Sequence, residues 1–409
     1  MALIILKSLL RSPFHGLGRV IGWLSLMRLV GALGFALSMP FLAIYLHEEL
    51  GMSMSWIGVM LTVAGVVGAL ASTVGGALSD RVGRRQMLIW LLALRGVSFL
   101  IMAYLVWAKS PFAIFSAVYV FSSMLGTSIF PLTEAIVADV TAPEKRAEAF
   151  GIMRVSANLG WALGPAIGGG LAIFGYHWLF VATAVALAGA AVVVVFTIDE
   201  TVSRAALKHH ESLLGPVLRD KKLLIFMGVG LVMFLARGQL ISTLSVYLSS
   251  TVGLSKGQIG MLYALNGGLV AAMQVPTTKF TIRWNPLSAL AFAGVLYGVG
   301  YFLVGLAGGI AELVVAMIII TVAEMIETPT AASYVTELAP EGLVGAYLGA
   351  FHFVFHLGWT VGPMVGGVLL DVMPNPIYAW EAVAALAVTG GIGFRLLKWS
   401  GERQAGLLS

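Results

Sequence analysis

The chain has no cysteine, which excludes disulfides and cysteine-ligated metals or clusters and leaves the redox compartment open. It is nearly as poor in charge. Only 11% of its 409 residues are Asp, Glu, Lys or Arg, against roughly 25% in soluble globular proteins. With 59% hydrophobic residues, the chain is read as an integral membrane protein. The dipeptide Gly-Lys never occurs, so the glycine-rich phosphate cradle that ends in lysine is missing. There is no H-E-x-x-H pair and no soluble domain to carry signalling, which leaves an enzyme or a receptor without support. The apolar runs lack period-two alternation, which excludes a membrane β-barrel. No cleavable leader is expected, since Met1 to Leu10 is short, carries Lys7 and leads into Arg11 and Arg19 without a small-residue cleavage site.

What the chain does have is a repeat. Leu159-Gly160-Trp161-x-x-Gly164-Pro165-x-x-Gly168-Gly169 returns 198 residues later as Leu357-Gly358-Trp359-x-x-Gly362-Pro363-x-x-Gly366-Gly367. The match extends upstream, pairing Pro131 with Pro329, Val137 with Val335, Asp139 with Glu337 and Gly151 with Gly349. Near the start of each half, Tyr45-Leu46, Gly51 and Ile57-Gly58 correspond to Tyr247-Leu248, Gly253 and Ile259-Gly260. The chain is a duplication.

Runs of roughly 20 apolar residues are long enough to cross a hydrocarbon core as helices. They fall near residues 22–47, 55–77, 87–108, 111–139, 148–173, 177–198, 222–249, 257–278, 287–308, 312–338, 344–371 and 377–398. The expectation is an all-α protein of twelve transmembrane helices in two six-helix bundles, 1–198 and 222–409. The polar interval 199–221 links them on the cytoplasmic side. Basic residues set the orientation. With both termini inside, eighteen of the 24 Lys and Arg residues lie in inner segments, and only Lys109 and Lys256 lie in outer loops. Four arginines remain within the spans: Arg28, Arg95, Arg154 and Arg237.

Between the second and third runs stands Gly76-Ala77-Leu78-Ser79-Asp80-Arg81-Val82-Gly83-Arg84-Arg85. It resembles the G-x-L-(A/S)-D-R-x-G-R-(R/K) signature of the major facilitator superfamily, in the loop where that family carries it. The resemblance implies a cytoplasmic latch of Gly76, Asp80, Arg81, Gly83, Arg84 and Arg85. Asp80 would accept backbone N–H groups at a helix N-terminus, and Asp139 and Arg154 would join the cluster. The second copy, Thr278 to Asn285, keeps Arg283 but has Ile282 in place of the acid.

The glycine motif in the fifth run (Gly160, Gly164, Pro165, Gly168, Gly169) is similar to the antiporter motif of that family's proton-coupled drug exporters. Close helix packing is its other reading. Ala323-Glu324-Met325-Ile326-Glu327-Thr328-Pro329, followed by Ala339-Pro340-Glu341, resembles a pattern of bacterial multidrug exporters. The arginine often found in the fourth helix of such exporters is missing; Glu134 stands in that span instead.

Ionisable residues inside spans are costly and point to function. In this family the first, fourth, seventh and tenth helices line the central cavity, and Arg28, Glu134, Arg237, Glu324 and Glu327 fall on those four runs. Depth pairs Arg237 with Glu324 and Glu327, and Arg28 with Glu134. Glu324 and Glu327 are three apart and share a helix face, so one holds a proton and the two titrate together; a fixed ion pair that merely orders the cavity is the alternative. Arg28 with Glu134 is read as a gating or structural pair. Arg95 is read as snorkelling or pairing locally. His352 and His356 are read as packing residues, since no third metal ligand is apparent. Phe35, Met39, Phe41, Tyr119, Phe121, Met124, Phe234, Met317 and Met325, with Gln239 among few amides, suit a bulky amphipathic compound better than a sugar.

The function implied is proton-coupled efflux of amphipathic or hydrophobic small molecules by alternating access, by a monomer in the cell membrane with both termini cytoplasmic. No cofactor, metal or nucleic acid is involved. An exporter or flippase for a metabolite, sugar or lipid without proton coupling is the second reading.

Overall fold

The computed structural model describes residues 18–142, 145–200, 214–240, 242–340 and 343–404. Among them every regular element is helical. Helices α1 (Gly18–Glu48), α2 (Met54–Val82), α3 (Arg84–Trp107), α4 (Phe112–Val140), α5 (Arg146–Ala172) and α6 (His177–Thr197) precede the short α7 (Leu214–Arg219). Then come α8 (Lys221–Arg237), α9 (Thr243–Val246), α10 (Lys256–Thr281), α11 (Pro286–Leu306), α12 (Ile310–Leu338), α13 (Val344–Val372) and α14 (Pro376–Gln404). Among the described residues, ten helical spans are long and apolar enough to cross a membrane, where twelve are expected. Helices α5 and α12 are not among the ten; α5 begins with Arg146 and Glu148, and α12 carries Glu312, Glu324 and Glu327.

The seventh run is also not one helix. It stops at Arg237, passes through a 3-10 turn at Gly238–Leu240 and the single turn of α9, and ends in a π-helical turn at Tyr247–Thr251. The cause is local. Gly238 lies against α13, where an added Cβ would come within 2.9 Å of the Gly358 carbonyl and 3.1 Å of the Gly362 Cα. Gln239 then donates through Nε2 to the Leu235 and Gly362 carbonyls, at 2.7 and 2.8 Å. Its Oε1 accepts from Thr243 Oγ1 at 2.7 Å. An amide side chain thereby takes over hydrogen bonds that a continuous helix would make to itself.

The chain forms two compact units, one of Met1–Tyr45 and Val63–Leu207, the other of Leu46–Thr62 and Lys208–Ser409. The segment Leu46–Thr62, which holds the turn between α1 and α2, falls in the second of these units. Asp371, at the end of α13, explains this placement. Its two oxygens accept from the Met54 and Ser55 backbone N–H groups at 3.1 and 2.7 Å, satisfying donors that the start of α2 cannot satisfy itself. Thr62 Oγ1 donates to the Thr360 carbonyl at 3.0 Å.

Within the first unit, α5 lies on α1 along the glycine motif. A Cβ at Gly160 would approach the Leu29 carbonyl to 2.6 Å, and one at Gly164 would come 2.5 Å from the Ala36 Cβ. Gly168 faces Leu37 in the same way. Within the second unit the repeated glycines do the same work against the end of α8 and its 3-10 turn, with Gly362 against the Leu235 carbonyl and Gly366 against Gln239. Membrane helices gain little from hydrophobic exclusion, so close backbone approach is what holds them together.

Gly164→Leu should therefore lower the stability of the purified protein by about 1–3 kcal/mol, read as a fall in thermal unfolding temperature in detergent. Gly151→Ala, on the same helix with nothing within 4 Å of the added carbon, should be neutral or stabilise by up to about 1 kcal/mol.

Candidate functional site

The second unit holds a buried charge cluster. Glu324 and Glu327 lie one turn apart on α12, and Arg237 reaches them from the last residue of α8. Its Nη1 donates to Glu327 Oε2 at 2.8 Å and to Thr328 Oγ1 at 3.0 Å, while Nη2 donates to Glu324 Oε1 at 2.7 Å. Tyr297 of α11 donates to Glu327 Oε2 at 3.3 Å. Asn266 of α10 donates to Glu324 Oε2 at 3.0 Å and to Thr321 Oγ1 at 2.9 Å. The guanidinium also lies over two aromatic rings of α13, 4.8 Å from the Phe355 centroid and 5.8 Å from that of Trp359.

Burial sorts the two acids. Glu327 has no exposed surface and Arg237 only 7%, whereas the Glu324 side chain is 21% exposed. Glu327 Oε1 and Arg237 Nε are buried without a hydrogen-bond partner. One cation faces two carboxylates, so the fully ionised cluster carries an excess negative charge in an apolar interior, where uncompensated charge is strongly disfavoured. A single proton removes that excess. Chemically, the cluster can bind and release a proton, and it can exchange the Arg237 pairing for another partner at Glu324, its accessible edge.

In the first unit the expected pair is looser. Arg28 places its guanidinium 4.0 Å over the ring of Phe130, and Glu134 interacts with it through space without an ion pair.

The latch is built differently from expectation. Gly83 takes a positive φ of 109°, turning the chain sharply between α2 and α3. The first N–H groups of α3 are then capped by Glu200, which accepts from Arg84, Arg85 and Gln86 at 2.8, 3.3 and 3.4 Å. Arg84 Nη1 pairs with Asp139 at 2.5 Å and donates to the Ala135 carbonyl at 3.1 Å. Arg85 donates to the Val195 carbonyl at 2.7 Å. Arg154 is exposed on α5 and makes no ion pair among the described residues, so it is not brought to Asp139. The surroundings of Gly76 and the side chains of Asp80 and Arg81 lie outside the described residues.

Several residues expected to line a cavity are packed instead. Phe41, Phe234, Met317 and Met325 are buried, and Phe234 stacks edge-on against Phe351 and Phe355. Gln239 serves the backbone rather than a ligand. His352 and His356 are exposed, and among the described residues no cluster of three His, Asp or Glu could hold a metal. Asn266, Tyr297, Thr328 and Glu200 escaped sequence reasoning. The first three are neutral and leave no mark in a hydropathy pattern, and Glu200 looks like any linker acid.

Two outcomes follow. Arg237→Gln, which strands Glu327 without its cation, should cost about 3–5 kcal/mol, and adding Glu324→Gln and Glu327→Gln should restore most of it in thermal unfolding. Glu200→Ala should cost about 1 kcal/mol as a lost helix cap, with Glu200→Gln intermediate in the same measurement.

The Major Facilitator Superfamily model matches residues 24–398. A Na(+), Li(+), K(+)/H(+) antiporter of Planococcus maritimus is 27% identical over 390 residues, covering 87% of this chain and 89% of that protein. The multidrug resistance protein MdtH of Edwardsiella ictaluri is 24% identical over 382 residues, covering 91% of each. The crystal structure of the nucleoside transporter NupG superposes with a TM-score of 0.77 at 15% identity, over 93% of this chain and 99% of that one, which speaks to the fold. A match over nearly the whole length, on an all-helical chain rich in membrane-length spans, places the protein: it belongs to the Major Facilitator Superfamily and is a multi-pass membrane transporter of small molecules rather than an enzyme.

Proposed function

We propose that the protein is a proton-coupled exporter of amphipathic small molecules, working by alternating access, and that Arg237, Glu324 and Glu327 couple proton to substrate. The observation that carries this is the buried cluster of one guanidinium and two carboxylates, in which Glu327 Oε1 has no donor. Proton uptake removes the excess charge and loosens the hold on Arg237, and release restores it. Arg28 and Glu134 act as a gate or structural pair. The loop from Gly76 to Arg85, with Asp139, acts as a latch on the cytoplasmic side, and Arg154 stands near that end of α5. The names of two relatives, an antiporter and a multidrug resistance protein, support the same reading. In this reading α5 and α12 also cross the membrane, giving twelve crossings in two halves of six. Glu324 and Glu327 of α12 are compensated there by Arg237, while Arg146 and Glu148 of α5 and Glu312 of α12 stand at helix ends. Both termini then lie in the cytoplasm, where the basic residues concentrate, and a monomer suffices.

Reconstitution into liposomes tests this. An imposed pH gradient should drive accumulation of amphipathic dyes, and a sodium gradient of equal size should not. Glu327→Gln should abolish the gradient dependence and Glu324→Gln should weaken it. Gradient-driven transport surviving in both variants would sink the coupling role, and accumulation indifferent to the gradient in the wild type would sink proton coupling altogether.

A further inference from the structure

A second intramembrane arginine has no such partners. Arg95 sits at the middle of α3, about 16–18 Å from its two ends at 1.5 Å per residue. Expected to snorkel or pair locally, it does neither. Its guanidinium faces inward, between the Phe35 ring of α1 at 5.6 Å and the Phe99 ring at 5.7 Å. Among the described residues it makes no hydrogen bond and no ion pair, and its Nε is buried without a partner. The titratable group acting on it is Tyr119 of α4, a phenol rather than a carboxylate.

The surroundings are shaped around this unpaired cation. Two turns beyond Tyr119 on α4, Gly126 leaves the space the guanidinium fills, since an added Cβ would come within 2.5 Å of Nη1 and 2.6 Å of Nη2. Tyr119 is turned by its hydroxyl contact to Met39 Sδ, at 3.6 Å. Phe35, Met39, Arg95, Tyr119 and Gly126 all belong to the first unit. An arginine among aromatic faces, with the notch of a missing side chain beneath it and no protein acceptor, has donors left for a ligand. We propose that this is a substrate subsite for an anionic headgroup, a carboxylate or sulfonate, whose aromatic or aliphatic body lies on Phe35 and Tyr119.

The proposal rests on the exporter reading and narrows its substrates to amphipathic anions. A free anion such as chloride would be recognised by the same chemistry, so the test separates the two sources. The full-length protein in nanodiscs is titrated with radiolabelled 2-naphthoate, with neutral 2-naphthamide and with cationic 2-naphthylmethyl-trimethylammonium, in chloride and in gluconate. The wild type should bind naphthoate roughly 10- to 100-fold more tightly than naphthamide, the range of a charge-assisted hydrogen bond, and the ammonium more weakly still. Arg95→Gln should erase that preference while leaving naphthamide binding intact, which also shows that the variant is folded. Arg95→Lys should keep part of the preference, and Gly126→Ala should reduce it by displacing the guanidinium. Gly151→Ala, whose added carbon meets nothing within 4 Å, should leave it unchanged, and binding is read with no pH gradient, so failure of proton coupling and failure of this subsite are read separately. The assignment is overturned if Arg95→Gln keeps the preference, if the ammonium binds best, or if naphthoate fails to bind while chloride alone stabilises the wild type.

Discussion

Water is absent from the hydrocarbon core, so every charge placed there must find its compensation within the protein. The pairing of Arg237 with Glu324 and Glu327 meets that requirement, and much of the second unit is arranged to permit it. Helix α8 stops at Arg237, α12 presents both acids from one face, and α10 and α11 lend Asn266 and Tyr297 to the carboxylates. Arg237 reaches the acids from the point where the seventh span is interrupted, and Gly238 and Gln239 hold that interruption against α13.

The duplicated glycines tell the complementary story. Gly160 and Gly164 bring α5 onto α1, and Gly358 and Gly362 bring α13 onto the end of α8. Both copies make the same contact in their own unit, so the motif is scaffold wherever else it contributes. The charges diverge between copies: Arg154 corresponds in the repeat to His352, and Glu134 to Ala332. The duplicated frame thus carries unequal fillings in its two copies.

Much of the fold was legible because hydropathy and repetition are properties of long stretches. The ends of α3, α4 and α11 fall within a few residues of the apolar runs that predict them. The pairing of Arg237 with two acids was legible because charge inside a span is rare and depth can be counted. What escaped depended on contacts between distant stretches. Glu200 is an ordinary acid until the chain folds back to cap α3, and Asp371 becomes a cap only when α13 meets the start of α2. Met325 and Phe234 look like cavity walls in a sequence because core and cavity draw on the same residue types. The break after Arg237 was invisible for a similar reason, since hydropathy records apolar length and is blind to backbone continuity.

That break gives the guanidinium an unusual mechanical position. A residue in mid-helix is clamped by the turns on both sides, and pulling on it moves the whole rod. Arg237 is the last residue of a rod, followed by a 3-10 turn and a π-helical turn whose hydrogen bonds are easier to rearrange. A change of charge beside it therefore acts at a joint between helical segments rather than in the middle of one.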